Sequence, residues 1–146
     1  MITSPGMETT KGEYTASDDK SRLDLNIVCD LLHNSYWAQN RSREAIKASI
    51  ENSICFGIYH RGIQVGFGRA ITDQTTWAYL CDIIITPEHR GRGLGKWFVQ
   101  WILAHPAVQT DTVLLRTKDA HGLYAAFGFQ ESNCMRRSGT PDLCRP

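Results

Sequence analysis

The chain has 146 residues, enough for one compact hydrophobic core and short for two domains. Its hydrophobic content of 42% and charged content of 21% are typical of a globular protein, which excludes a fibrous or intrinsically disordered class. The net charge is +1, from 16 basic and 15 acidic residues, so no field of the whole protein favours nucleic acid or an anionic membrane.

The chain as far as Asn52 is predicted to form one short strand and two helices. Residues 1–12 are polar and lack periodicity, which predicts a flexible leader. Apolar residues at helical spacing predict an amphipathic helix over roughly 23–34, after a short strand at 13–17. A segment with two aromatic residues follows, and Ser42 is a suitable N-cap for a second helix that ends near Asn52.

The second half alternates strands with helices. A hairpin turn at 60–62 joins strands at 54–59 and 63–71, and the longest strand, 77–85, is apolar on both faces and is expected at the centre of the sheet. The remaining predicted elements are a helix at 93–104, a strand at 112–116, a helix at 120–127 and a final strand near 130–136.

This order predicts an α/β (α+β) fold, a mixed central β-sheet flanked by helices on both faces. One domain is expected over residues 13–137, followed by a tail at 138–146.

Several classes of site and location are not favoured. Five scattered cysteines without a C-x-x-C pair indicate neither a disulfide framework nor a zinc site, and the five histidines are not spaced as metal ligands. No long apolar segment or signal-type region is present. We expect no metal, no membrane or nucleic-acid partner, and a reducing cytoplasmic location.

The stretch His89–Lys96 is a basic, glycine-rich turn between the longest strand and an amphipathic helix. The first N–H groups of a helix lack intrahelical partners and suit an anion. Gly91, Gly93 and Gly95 are spaced for neither the dinucleotide fingerprint nor the P-loop. The alternative is a basic turn that merely begins an ordinary helix.

Two motifs carry a family resemblance. Arg90, Gly93 and Gly95 form Arg-x-x-Gly-x-Gly, and about 30 residues later Leu123–Phe129 reads Leu-Tyr-x-x-x-Gly-Phe. Together with the element order, they resemble the GNAT acetyltransferase superfamily over residues 13–137. The segment Tyr36-Trp37-Ala38 with Arg41-Ser42 is similar to a recurrent bacterial branch of it, usually without a known substrate.

The resemblance implies an acetyl-CoA site. Its pyrophosphate loop would be Arg90, Gly91, Arg92, Gly93, Leu94, Gly95 and Lys96. In the family the central strand separates from its neighbour, so the backbone of Ile83, Ile84 and Ile85 would meet pantetheine and the thioester. Many members carry Asn seven residues before the motif tyrosine, where this chain has Thr117. A hydroxyl can donate and accept, so Thr117 could replace that contact, and Asp119 or His121 could also substitute.

Acetyl transfer to an amine needs proton transfers, and the resemblance makes Tyr124 the candidate general acid for the departing thiolate. The alternative is a tyrosine that only lines the site. Asp82 is the one carboxylate inside an apolar strand, and alternation places it opposite Cys81 and Ile83. It could be the general base or a structural partner, and a water relay could replace it.

Tyr36 and Trp37 fall where the family forms its substrate channel, or they belong to a loop packed on the core. The predicted function is transfer of acetyl from acetyl-CoA to a primary amine of a small molecule or protein. The alternative is a non-catalytic acyl-CoA-binding or sensing module, and a ribosome-directed or toxin-type acetyltransferase fits less well without a basic surface. The resemblance is compatible with a homodimer, which no sequence patch decides.

Overall fold

A computed structural model describes residues 6–139. The strands are β1 (Glu8–Lys11), β2 (Tyr14–Ser17), β3 (Ile54–His60), β4 (Ile63–Thr72), β5 (Trp77–Ile85) and β6 (Thr112–Leu115). The helices are α1 (Leu25–His33), α2 (Arg43–Glu51), α3 (Leu94–Leu103) and α4 (His121–Ala125). Short 3₁₀ turns occupy Lys20–Arg22, Pro87–His89 and Pro106–Val108.

The helices begin where the sequence supplies caps. The Asp24 carboxylate accepts from the first amides of α1, and Ser42 Oγ accepts from the amide of Ala45 at 3.1 Å, as predicted for α2. Helix α3 begins differently, at Gly93 in the left-handed conformation with φ 76° and no capping side chain. Its first N–H groups therefore remain available for another partner.

The six strands lie in chain order across one sheet, antiparallel except for the parallel pair β5–β6. The mixed sheet was predicted correctly, but the central position of β5 was not. Strand β5 lies next to the edge, and β3 and β4 form the middle of the sheet. Strand β5 is apolar on both faces because helices cover both faces there, and its residues belong to a separate core on each.

Helices cover both faces of the sheet, as predicted. Helix α3 buries Phe98 and Ile102 against Phe56 and Leu80 on one face. Helices α1 and α2 form the second core on the other face, with Val28, Leu32, Ile46, Phe67 and Ile84. Burial of each side chain of this size stabilises the folded state by about 1.5–3 kcal/mol. The two cores therefore hold the sheet between the two helix layers.

Two predictions near the ends need correction. Residues 8–11, expected in the leader, form β1, in register with β2 from Glu8↔Ser17 to Lys11↔Tyr14. The sheet therefore reaches back to Glu8. Residues 1–5 of the predicted leader and residues 140–146 of the predicted tail lie outside the described residues. The strand expected at 130–136 is absent, because residues 130–139 are all exposed and bury no apolar surface to offset the ordering entropy.

Candidate active site

A cavity of about 910 Å³ opens where β5 and β6 part. The two strands pair from Trp77↔Thr112 to Leu80↔Leu115, and beyond Leu80 no described residue pairs with β5 on that side. Residues 81–85 therefore carry backbone groups on the β6 side that lack a ladder partner. The cavity is walled by this end of β5, the turn before α3, the segment 115–124 and the loop between α1 and α2.

A β-bulge lies in β5 beside the cavity. Phe67 faces Ile84 and Arg69 faces Cys81, so two residues, Asp82 and Ile83, oppose the single Gly68. Asp82 adopts φ 56°, a left-handed conformation uncommon outside glycine. A side chain at Gly68 would begin 3.3 Å from Ile83 and α3, so glycine permits the close packing opposite the bulge.

The extra residue changes which way Asp82 points. Cys81 and Arg69 are cross-strand partners on the α1/α2 face, and the Asp82 carboxylate meets the Arg69 guanidinium there. Ile83 packs on the opposite face, against the α3 core. Asp82 and Ile83 therefore lie on opposite faces of the sheet, as alternation predicts. Asp82 and Cys81 lie on the same face, contrary to that prediction, because the bulge interrupts the period of two.

Both oxygens of the Asp82 carboxylate accept hydrogen bonds. Its Oδ2 accepts from Arg69 Nε at 2.7 Å and from Arg41 Nη1 at 2.9 Å, and its Oδ1 accepts from Trp37 Nε1 at 2.9 Å. The side chain is 1% exposed. Because two guanidinium groups stabilise its negative charge, the geometry favours the structural role for Asp82 over the general-base role.

The loop that carries Tyr36 and Trp37 is held from both sides of the cavity. Trp37 and Arg41 bind Asp82 on one side, and the Tyr36 hydroxyl accepts from the Lys118 amide at 3.2 Å on the other. The two aromatic rings meet edge to face at 4.9 Å. Both side chains line the cavity and stay more than 40% exposed, so they are placed to contact a substrate.

The glycine-rich turn forms the end wall of the cavity. Gly91 and Gly93 adopt φ 77° and 76°, and no atom lies within 4 Å of a Cβ built on either. The space a side chain would fill is thus left open beside the free amides of α3.

The basic side chains of that turn divide into two groups. Arg90 lines the cavity and donates Nε to the Ile85 carbonyl at 2.9 Å. Arg92 turns away to the Tyr14 hydroxyl at 3.1 Å, and neither Arg92 nor Lys96 is among the lining residues. Five of the seven predicted loop residues therefore face the cavity.

Tyr124 and Thr117 lie on the wall formed by 115–124. Burial raises the pKa of Tyr124, and Tyr36 and Asp119 add to the shift, so its phenol carries a proton at neutral pH. Its ring packs edge to face on Phe129 at 5.8 Å. The Thr117 hydroxyl accepts from the Ala120 amide at 3.0 Å, which leaves its O–H free to donate.

Sequence reasoning missed the cations around Asp82. Arg69 and Arg41 are its partners, and Arg116 and Lys118 line the same cavity. The available signal was a lone arginine in the apolar strand β4, which precedes the strand that carries the lone aspartate, β5. In the described part of the chain no cluster of three metal-ligating residues occurs, and no helix is long and apolar enough to cross a membrane.

The comparisons with known proteins agree with this geometry. The family model of the acetyltransferase (GNAT) domain matches residues 51–131. The chain belongs to the GNAT acetyltransferase family. It is therefore an acyltransferase of the N-acetyltransferase type.

Among relatives of this GNAT protein, a Gibberella zeae protein named as an acetyltransferase by inference is 33% identical over 119 residues. The match covers 68% of this chain and 67% of that protein. The crystal structure of a GNAT-family protein from Xanthomonas campestris is 38% identical, with a TM-score of 0.82, and the match covers 86% of this chain and 93% of that one. A Staphylococcus aureus protein, 22% identical with a TM-score of 0.74 over 86% of this chain and 99% of that one, shares the fold.

Proposed function

We propose that this GNAT protein transfers acetyl from acetyl-CoA to a primary amine of a small molecule or peptide. One observation carries the proposal: a single cavity joins the open glycine turn at the start of α3 to the unpaired end of β5. The first suits a pyrophosphate, and the second suits an extended amide-containing arm.

The residues fit such a ligand. Gly91 and Gly93 leave room at the free amides of α3, and Arg90 supplies a formal positive charge beside them. The unpaired backbone of 83–85 can exchange hydrogen bonds with the pantetheine amides. The Thr117 hydroxyl, which has a free proton, faces the same space and can replace the amide contact of the family.

Different groups of the chain would then carry out the separate steps of the reaction. With acetyl-CoA bound, the amine nitrogen would attack the thioester carbonyl carbon, and the C–S bond would break as the new C–N bond forms. A backbone N–H of 83–85 polarises that carbonyl without any cost of reorganisation. Tyr124, protonated at neutral pH, donates to the departing sulfur. Since the Asp82 oxygens are held by Arg41, Arg69 and Trp37, water leads the amine proton out to solvent.

The proposal is tested with acetyl-CoA and a broad panel of amines and peptides, by measuring release of the CoA thiol and the mass of the acetylated product. We expect turnover with a subset of the amines. CoA binding without transfer to any amine, unchanged by Tyr124→Phe, would favour the sensing module. Absence of CoA binding would overturn both.

A further inference from the structure

We propose that the amine acceptor is a small molecule that carries an acidic oxygen group, a carboxylate or a phosphate, and that Arg41 binds this group. The inference rests on the proposed function and adds the chemical class of its substrate. It begins from the charges in the cavity wall. Among residues 6–139, five cations line it, against two carboxylates; the cations are Arg41, Arg69, Arg90, Arg116 and Lys118, and the carboxylates are Asp82 and Asp119.

Part of this excess lies beside the bulge. Arg41 and Arg69 share a single carboxylate, and both bind the same oxygen, Asp82 Oδ2. Their side chains are 27% and 10% exposed. Arg41, Arg69 and Asp82 together therefore carry one uncompensated positive charge in a poorly solvated position. A second anion bound there would neutralise this charge.

Arg41 has more unused hydrogen-bond donors than Arg69 and is the more exposed of the two. A guanidinium has five N–H donors. Arg69 directs Nε to Asp82 and Nη1 to the Ser53 hydroxyl. Within residues 6–139, Arg41 has one hydrogen bond from its guanidinium, to Asp82, and its side chain faces the cavity. The planar edge that remains matches a carboxylate or phosphate.

The position of Arg41 agrees with a role toward the acceptor. It belongs to the loop that presents Tyr36 and Trp37, and it is bonded to the bulge residue that immediately precedes Ile83. On the other side of the cavity Lys118 lies over the Tyr36 ring at 5.3 Å. An acidic group held here leaves the amine of the same molecule free to reach the acyl group. A polycationic amine would meet like charges from both walls.

The test uses pairs of amines that differ in the acidic group alone. One series contains amino acids from glycine to 6-aminohexanoate with their carboxamides, and a second compares phosphoethanolamine with ethanolamine. The kcat/KM with acetyl-CoA is expressed per unprotonated amine, because the acid group changes the amine pKa. We expect the acid to exceed its neutral partner by about 10- to 100-fold at one chain length, as one charge-assisted contact allows. The two series tell carboxylate from phosphate.

Variants connect the preference to Arg41. Arg41→Gln should bring the acid-to-neutral ratio close to one, and Arg41→Lys should restore part of it. Lys47→Gln, an exposed change of the same charge on α2, should leave the ratio as it is. Trp37→Phe loosens the loop without removing a charge. It should therefore lower kcat/KM for the acid and for its neutral partner alike, and preserve the acid-to-neutral ratio.

Binding gives a second readout. The acids should raise the Tm of the CoA complex more than their neutral partners, and this difference should vanish in Arg41→Gln. Such a difference without acetyl transfer would support the acidic ligand and overturn the proposed function. Equal use and equal binding of acids and neutral partners, better use of polyamines, or an unchanged ratio in Arg41→Gln would overturn the inference while acetyl transfer stands.

Discussion

Arg69 Nε lies 2.7 Å from Oδ2 of Asp82, and this contact connects β4 to the bulge of β5. Asp82 stands at φ 56°, a conformation that costs of order 1–3 kcal/mol unless its surroundings hold it. The second arginine and the indole of Trp37 come from the loop between α1 and α2. One carboxylate therefore determines both the shape of the strand beside the cavity and the position of the loop that carries Tyr36 and Trp37.

Asp82→Asn tests this structural role. The amide keeps the shape of the carboxyl group but leaves two guanidinium groups without a counter-charge, so we expect a loss of about 3 kcal/mol of unfolding free energy. The measurement is urea denaturation, with Asp30→Asn on the exposed face of α1 as the control. If Asp82 positions the loop, the pH–rate profile of the variant keeps its acidic limb. Loss of that limb at unchanged stability would mean that Asp82 is the base.

CoA should stabilise the protein through the glycine turn. At a hundredfold excess over Kd, binding adds about 2.7 kcal/mol to the unfolding free energy, seen as a rise in Tm. Gly93→Val should abolish the rise, because a β-branched residue is strained at φ 76° and its side chain fills the anion space.

The control for that variant is Gly12→Val. Gly12 also has a positive φ, 58°, and open space around it, but it lies in the turn between β1 and β2. It should lower Tm by strain and keep the response to CoA. An equal response to CoA in Gly93→Val would contradict the assignment of the turn.

Tyr124→Phe should lower kcat by about 10²-fold, the low end for general acid catalysis, with CoA affinity almost unchanged. Because burial raises the pKa of Tyr124, its loss of activity at high pH should lie above the ordinary phenol range, and the variant should lack that limb. Steady-state kinetics measured as a function of pH, together with the CoA affinity of both proteins, test this general-acid role.

Tyr59→Phe is the matched control for the tyrosine. Within the described residues the Tyr59 hydroxyl is buried without a hydrogen-bond partner, and it does not line the cavity. Its removal should leave kcat unchanged. A fall in CoA affinity that explains the whole loss of rate in Tyr124→Phe would refute the acid role.

Cys81 should be slow to react although it lines the cavity. Burial raises its pKa to about 11, so only about one thiol in several thousand is ionised at pH 7.5. Iodoacetamide labelling followed by mass spectrometry should modify the exposed Cys134 first, and labelling of Cys81 should accelerate steadily up to about pH 11. Rapid labelling of Cys81 at neutral pH would point instead to a reactive thiol in the site.

The sequence by itself determined the elements that depend on local periodicity and caps. The strand at 77–85, the helix after the glycine turn and the Ser42 cap follow from patterns within a few residues, and the structure has all three. The family motifs also identified the turn and Tyr124, which the fold brings into one cavity.

Only the tertiary structure decided the features that depend on neighbours distant in the chain. A bulge is a mismatch between two strands, so alternation along β5 alone could not reveal that Asp82 shares a face with Cys81. The aspartate's partners lie 13, 41 and 45 residues away, at Arg69, Arg41 and Trp37, and charge-pairing at that separation leaves no local pattern. Strand order is likewise a property of the assembled sheet. Strand β5 therefore lies beside the edge strand β6, although its apolar faces resemble those of a central strand.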